Sequence, residues 1–345
     1  MAKKKLGIGI LGCGRVAPYH YNAINQIDQC ELVALCDSDK VRGKKAADEN
    51  GVTLYSDYAK MLKDKNVDVI SLCTPHGMHA SQAIQAAKAG KHIITEKPMA
   101  MGLKDADMMI AEAKKNKVRL FVIKQNRYNP PIVKLKEALD KGRFGKLVLI
   151  NTTVFWTRPQ NYFDMDKWRG TKAMDGGVMM NQASHHIDLV HWMGGEVESV
   201  FAYGGTLTHS LEVEDTAVAV LKFKNGAMGV IQGTTCAFPK NLEGSLTVLG
   251  EKGSVKVGGF AVNKIDTWEF KDQSQEDEWV KQMKTEPPTV YGFGHLELYR
   301  ELVNAIINGK DAMMKGEEGR KSLELIMAIY KSIETGKEVK LPLKE

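Results

Sequence analysis

A chain of 345 residues, 43% hydrophobic and 26% charged, has the make-up of a globular protein long enough for two domains, each with its own core. Its net charge of +6 is a mild bias that suits an anionic small molecule, and no basic run with interleaved aromatics points to nucleic acid. No apolar run approaches the roughly 20 residues needed to span a bilayer, and five scattered cysteines without a CxxC suit free thiols in a reducing cytoplasm.

The chain opens with three lysines and LGIGIL, the charge order of a signal peptide. The apolar part is too short and runs into GCGR without a cleavage site, so residues 5–11 read as a first strand. Gly12-Cys13-Gly14-Arg15-Val16-Ala17 follows, with a helix expected to about Ile27. In this GxGxxA turn Gly12 permits the tight bend, Gly14 lets a pyrophosphate approach the backbone, and Ala17 lets helix and strand pack closely. The helix start then offers unpaired N–H groups to the phosphates, with Arg15 and Val16 in the same turn. A second apolar strand, 31–36, ends in Asp37, which lies 23 positions after Gly14, where a ribose-binding carboxylate is expected. Ser38 and Asp39 follow with no arginine to neutralise a 2′-phosphate, so the expected cofactor is NAD(H) rather than NADP(H).

The βα alternation then repeats. Helices are expected at 40–49, 58–62, 78–89 and 103–115, and strands at 54–55, 67–73, 92–95 and 119–123. Two of these strands run into Thr74-Pro75-His76 and Glu96-Lys97-Pro98. In a doubly wound parallel sheet the strand C-termini face the ligand crevice, so Asp37, His76 and Lys97 should gather near one cleft. The expected first domain is therefore a Rossmann-type α/β unit over 1–124.

After about Lys124 the character changes. Pro130-Pro131 interrupt the chain and a helix follows at 132–141. Strands are expected at 146–156, 197–203, 216–223, 227–234 and 245–250, with Asn225-Gly226 as a hairpin turn, and helices at 295–308 and 318–335. Neighbouring strands in this order suggest an α+β domain over 125–345 with an open, largely antiparallel sheet. Between its first two strands lie a polar-aromatic loop, 157–171 (TRPQNYFDMDKWRGT), and the segment 175–188, DGGVMMNQASHHID. Asp175 and the glycines Gly176 and Gly177 are expected to start a helix running to about Met193, which Gly194 and Gly195 stop. On that helix Asn181, His185 and Asp188 would share one face, while Met180, Ile187 and Val190 anchor it. Such a polar row is costly to bury unless it lines a cleft where protons move. His186, about 100° round the helix from His185, reads as a packing residue.

A dinucleotide fold implies hydride transfer. A carbinol losing its hydride needs a base, which an imidazole titrating near neutrality suits, and an ammonium beside it stabilises charge on the alcohol oxygen. Lys97 and His185 supply that pair, one from each domain. The pieces GCGRVA, TPHGMH, EKP and GGVMMNQASHHID resemble the Gfo/Idh/MocA oxidoreductase family, and the resemblance covers essentially the whole chain. It implies NAD as cofactor, with Lys97 and His185 catalytic. The implied cofactor contacts are Gly12, Gly14, Arg15, Val16, Asp37, Thr74, Pro75, His76, His79, Glu96 and Lys97. The usual family pattern places an aspartate four residues before the catalytic histidine, where this chain has Asn181. The loop WTRPQNYF…WRGT together with MNQASHHIDL is similar to a branch of the family in which asparagine replaces that aspartate. That branch oxidises the C3 hydroxyl of a UDP-linked sugar acid, UDP-N-acetylglucosaminuronate, in surface-polysaccharide (O-antigen) biosynthesis. The similarity implies Asn181 as a third catalytic residue, a cytoplasmic enzyme, and a dimer or tetramer built through the open sheet face. Candidate substrate contacts are Tyr128, Asn129, Arg158, Tyr162, Trp168, Arg169, Thr171, Asn181 and His185, two arginines in one loop suiting phosphate or carboxylate. The alternatives are another sugar or inositol dehydrogenase of the same fold, and a non-catalytic dinucleotide sensor, against which the presence of both Lys97 and His185 argues. A metal enzyme built on His185, His186, His191 and Asp188 lacks the HxxxH or HExxH spacing, so no metal is expected.

Overall fold

Apolar runs closed by glycine turns build the first sheet. In chain order its elements are β1 (Leu6–Leu11), α1 (Ala17–Ile24), β2 (Cys30–Cys36), α2 (Lys40–Asn50), β3 (Thr53–Tyr55), α3 (Tyr58–Leu62), β4 (Val69–Leu72), α4 (His79–Lys88), β5 (His92–Thr95), α5 (Leu103–Lys115) and β6 (Leu120–Val122). The computed structural model describes residues 5–287 and 289–343 of the chain. The six strands lie in the order β3-β2-β1-β4-β5-β6, every neighbouring pair parallel. The strand order reverses between β1 and β4, and this switch point is where an open parallel sheet takes its ligand. Asp39 and Asp57 cap α2 and α3 through their side chains, so each helix start follows from a sequence-local signal.

The second sheet grows from the segment after Lys124. Its elements are α6 (Pro130–Asp140), β7 (Leu147–Phe155), α7 (Gln160–Asp164), α8 (Ser184–Gly194), β8 (Val197–Gly205), β9 (Thr216–Phe223), β10 (Met228–Thr234), β11 (Glu243–Gly250), β12 (Gly253–Gly258), β13 (Lys264–Phe270) and α9 (Gln275–Lys281). The chain ends with α10 (His295–Asn308), α11 (Gly316–Thr335) and β14 (Val339–Lys340). Eight strands run β13-β12-β11-β7-β10-β9-β8-β14, all pairs antiparallel except β7–β10. The helix α8 packs on β7 and β11. On the opposite face Tyr203 pairs with Val218, Phe201 with Val220, and Val220 in turn with Val230, leaving a band in which Tyr203 and Met228 are 71% and 62% exposed.

Three expectations need correction. Pro130 and Pro131 open α6 at its first positions rather than breaking the chain, because a proline there loses no hydrogen bond. Strands β12, β13 and β14 and helix α9 were not anticipated: β12 is six residues between glycines, and β13 (KIDTWEF) is polar at alternate, solvent-facing positions. Helix α8 begins at Ser184, nine residues after Asp175, so Asn181 lies in the turns before the helix and not on its face.

By compactness the chain divides into Met1–Lys124 with His295–Arg320, and Gln125–Gly294 with Lys321–Glu345. A simple division at 124/125 therefore misplaces His295–Arg320, which returns to the first unit. Its side chains say why: buried Tyr299 of α10 lies 2.7 Å from His20 Nδ1 and 2.9 Å from Ser71 Oγ, in the heart of the first sheet.

Candidate active site

The nucleotide turn is built as its glycines demand. Gly12 has φ of 95°, and a Cβ there would lie 2.6 Å from the Cys73 carbonyl oxygen. A Cβ on Gly14 would meet nothing within 4 Å, so the turn opens onto free space beside the first turn of α1, where Arg15 is exposed and Val16 half-buried. At the tip of β2 the Asp37 carboxylate is buried and accepts from Cys13 N and Asp39 N, both at 2.7 Å. Arg42, one turn into α2, forks onto it with Nε at 3.0 Å from Oδ2 and Nη2 at 2.8 Å from Oδ1. Burial pushes the Asp37 carboxyl up, but the Arg42, Cys13 and Asp39 hydrogen bonds outweigh it and hold it below its ordinary range. The expectation that no arginine accompanies Asp37 is thus wrong. Arg42 is five residues on in sequence but beside the carboxylate in space, and its charge is already engaged. Open space over Gly14, a helix start behind it and an acid at the tip of β2 fit a dinucleotide.

The other strand ends carry the remaining candidates of this unit. Thr74 and Pro75 are half-buried after β4 and His76 is buried, its ring 5.8 Å from that of His79. His79 lies 2.8 Å from the Pro98 carbonyl and 2.9 Å from the Thr74 carbonyl, so its two ring nitrogens staple the β4 end to the EKP turn. Glu96 is turned inward: Oε1 lies 3.2 Å from His20 Nε2, and Oε2 accepts from Lys97 N at 3.0 Å. Burial raises the Glu96 carboxyl, but the hydrogen bond and charge of His20 overcome it and hold it at about 2. Burial likewise lowers the His20 imidazole, yet Cys73, Tyr299 and Glu96 around it raise it well above its ordinary value. A buried ion pair therefore stands behind the backbone of Lys97, whose side chain is half-buried after the cis Lys97–Pro98 bond.

In the second unit the two loop arginines have different fates. Arg169 is committed: Nε lies 3.0 Å from Asp166 Oδ2, Nη1 donates to Tyr162 Oη at 2.6 Å, and the guanidinium sits over the Tyr162 and Trp168 rings at 4.5 and 4.6 Å. Arg158 has no carboxylate partner among the described residues; its Nη1 donates to the Thr157 carbonyl at 2.7 Å and the group lies over Trp156 and Tyr162. Thr171 donates to the Trp168 carbonyl at 2.7 Å, closing the loop's last turn. Asp175 is buried and ties this loop to Asn181: Oδ2 accepts from Gly170 N at 2.7 Å and Oδ1 from Asn181 Nδ2 at 2.6 Å. Both Asn181 and His185 are buried. Asp188 does not complete a proton-handling row with them. It takes a bidentate bond from Arg127 at 2.7 and 2.9 Å, both side chains 1% exposed. His186 packs edge-on to Trp156 at 5.7 Å, and burial lowers its imidazole to about 4. Asn129 is buried and donates to the Ala261 carbonyl, while Tyr128 is half-buried at the end of a 3₁₀ turn, Gln125–Tyr128.

Sequence reasoning passed over several groups here. Gln125 Oε1 and Asn126 Oδ1, in that turn, are buried acceptors with no partner among the described residues, which a ligand donor could satisfy. Glu214, just before β9, is half-buried and accepts from Met179 N and from Tyr330 Oη, each at 3.0 Å. Burial lifts its carboxyl to about 7, and the charge of Asp175 adds to the lift against the two hydrogen bonds. Nothing in the local sequence marks Glu214 or Tyr330, because what they do depends on a turn more than thirty residues away.

A nucleotide site of this form belongs to a dehydrogenase, and the chain is an NAD-dependent oxidoreductase. Residues 6–124 match the family model described as "Oxidoreductase family, NAD-binding Rossmann fold", and residues 136–341 match "Oxidoreductase family, C-terminal alpha/beta domain". The protein belongs to the Gfo/Idh/MocA oxidoreductase family. Among solved structures it is similar to the WlbA dehydrogenase from Bordetella pertussis in complex with NADH and UDP-GlcNAcA, at 44% identity and TM-score 0.96 over 100% of both chains. It is also similar to the WlbA dehydrogenase from Chromobacterium violaceum with the same two ligands, at 43% identity and TM-score 0.93, covering 100% of this chain and 98% of the other. Among curated relatives, the myo-inositol 2-dehydrogenase of Thermotoga maritima is 32% identical over 97% of this chain and 98% of its own.

Proposed function

We propose that the enzyme oxidises the C3 hydroxyl of UDP-N-acetylglucosaminuronate with NAD+, giving the 3-keto sugar nucleotide. What carries this reading is the likeness, over the whole of both chains, to the Bordetella pertussis dehydrogenase that holds NADH and this sugar nucleotide. The myo-inositol relative shares fewer residues. Arg158 adds a chemical reason: a guanidinium facing no carboxylate among the described residues suits a diphosphate or uronate better than a neutral polyol.

NAD+, when bound, accepts the hydride. The chain's own residues do the rest. Asp37 receives the adenosine ribose hydroxyls, and the turn Gly12–Val16 with the start of α1 receives the diphosphate. Thr74, Pro75 and His76 line the nicotinamide end, and His79 and Glu96, whose polar atoms are engaged within the protein, hold Thr74 and Lys97 in place. His185 takes the C3 hydroxyl proton, the Lys97 ammonium stabilises the charge developing on that oxygen, and Asn181 orients the hydroxyl through its amide. An amide cannot share the proton as a carboxylate would, so His185 is the single base of the site. Tyr128, Asn129, Tyr162, Trp168, Arg169 and Thr171 shape the sugar-nucleotide pocket.

The product would feed a transamination in O-antigen or related lipopolysaccharide synthesis, in the cytoplasm where nucleotide sugars are made. Among the described residues no helix is long and apolar enough to cross a membrane. The exposed apolar band on the second sheet supports a homodimer or homotetramer closed through that face. Sugar nucleotide deuterated at C3 tests the position of attack. Deuterium should appear in the reduced cofactor with a slowed hydride step; deuterium kept in the sugar would contradict C3 oxidation.

A further inference from the structure

Residues 177–181 carry Asn181 into the helix of His185, yet they are neither helix nor strand. Their backbone donors need partners elsewhere, since buried N–H groups are almost never left unmade. Two distant residues supply four of the five, and Asn181 N closes back onto the Gly177 carbonyl at 3.0 Å. Gly177 N and Met180 N both donate to Tyr330 Oη at 3.1 Å, Val178 N donates to the Glu214 carbonyl at 3.0 Å, and Met179 N donates to Glu214 Oε1 at 3.0 Å. Tyr330 completes the set by donating its own proton to Glu214 Oε1 at 3.0 Å. The fit leaves no slack: a Cβ on Gly177 would lie 1.8 Å from the Glu214 carboxylate.

We infer that Glu214 and Tyr330 are positioning residues of the reaction, a clamp that fixes the turn presenting Asn181 and starting the His185 helix. The inference rests on the catalytic reading of Asn181 and His185 given above. Both clamp residues act through the backbone, and neither needs to touch substrate. A neutral carboxylic acid serves as well as a carboxylate, because Oε1 accepts in either form; this agrees with a group that burial keeps protonated to about pH 7. Asp175 adds a second tie to the same turn, accepting from Gly170 N and Asn181 Nδ2 and so linking the arginine loop to the amide. Misplacing a reacting group by about an ångström costs up to about a hundredfold in rate, so a turn held at four successive donors is worth its buried polar atoms.

The test uses the full-length protein and three variants: Tyr330→Phe, Glu214→Ala and Glu214→Gln. Tyr330→Phe keeps the ring but loses the acceptor of two N–H groups, whereas Glu214→Gln keeps an acceptor oxygen for Met179 N and Tyr330. Hydrogen exchange of the amides at 177, 179 and 180 is followed without any sugar present. It should accelerate in Tyr330→Phe and Glu214→Ala and stay slow in Glu214→Gln. In single turnovers with UDP-N-acetylglucosaminuronate, the first two variants should lose about tenfold or more in rate, with NADH affinity unchanged and Glu214→Gln within about twofold of the parent. If Glu214→Ala does not fold, Tyr330→Phe and Glu214→Gln decide the matter alone. Normal turnover by Tyr330→Phe, unchanged exchange in it, or a Glu214→Gln as slow as Tyr330→Phe would each overturn the clamp. If the unaltered enzyme does not turn over this sugar at all, the substrate reading has failed, and the exchange arm still decides for or against the clamp.

Discussion

Two carboxylic acids, one buried and one half-buried, stand behind the two halves of the proposed chemistry, and they are held in opposite ways. Glu96 backs Lys97 from the first unit. It is ionised, paired with the His20 imidazole and bonded to the Lys97 amide. Glu214 backs the turn before His185 from the second unit. Met179 N and the Tyr330 hydroxyl donate to it, both neutral, and burial with the charge of Asp175 outweighs them. The same residue type is held at about 2 in one place and lifted to about 7 in the other. Burial raises both, and a neighbouring imidazolium reverses the outcome for one. The lysine's support is therefore indifferent to pH near neutrality, whereas the support of the Asn181 turn changes charge there.

Breaking the charged support should cost most. Glu96→Gln strips the buried His20 cation of its counter-ion, and removing one partner of a buried pair typically costs about 3–5 kcal/mol. Urea unfolding of the variant should show that loss at pH 7. The sign with pH follows from a lowered folded value: the pair's contribution is present above about pH 4.5 and fades as pH falls towards about 2. Parent and variant should converge in stability at the acid end.

The neutral support should show the reverse slope. A folded value raised to about 7 gives stability that is full below about pH 4.5 and is lost as pH rises through 7. The shift corresponds to at most about 3 kcal/mol. Glu214→Gln should remove that slope, so that it matches the parent at pH 5 and exceeds it at pH 8.5. Equal pH dependence in the two proteins would mean that Glu214 is ionised throughout.

Removing what the two supports hold should stop the chemistry. Lys97→Ala and His185→Asn should each slow reduction of bound NAD+ by about a hundredfold, with NADH fluorescence titrations unchanged in His185→Asn. A near-normal single turnover in His185→Asn would remove the histidine from its role.

Much of this was legible in the chain. The GxGxxA turn, Asp37 and the strand ends of the first unit are sequence-local, and the parallel sheet places them as their spacing foretold. The hairpin at Asn225-Gly226 was equally legible, since Gly226 has φ of 88° as such a turn requires. The start of α8 was not. Gly176 and Gly177 look like a helix entry, but Tyr330 and Glu214 take the N–H groups that a helix would use, and those partners lie 35 or more residues away in sequence. Arg42 escaped for a milder form of the same reason, one helical turn bringing it back over Asp37. The arginines of the loop looked alike as letters; only the position of Asp166 separates the bound one from the available one.

The smallest expected effect concerns that Arg42. Asp37→Ala should weaken NAD+ and free the guanidinium for a 2′-phosphate, shifting the kcat/KM ratio towards NADP+ by about tenfold or more. Unchanged preference would mean that neither residue reads the ribose.

The central claim is tested most directly by absorbance at the NADH band after sugars are added one at a time to the NAD-loaded enzyme. UDP-N-acetylglucosaminuronate should reduce the bound cofactor, while UDP-N-acetylglucosamine, glucose and myo-inositol do so poorly. Equal turnover of UDP-N-acetylglucosamine would contradict the part given to the carboxylate, and turnover of myo-inositol alone would contradict the assignment as a whole.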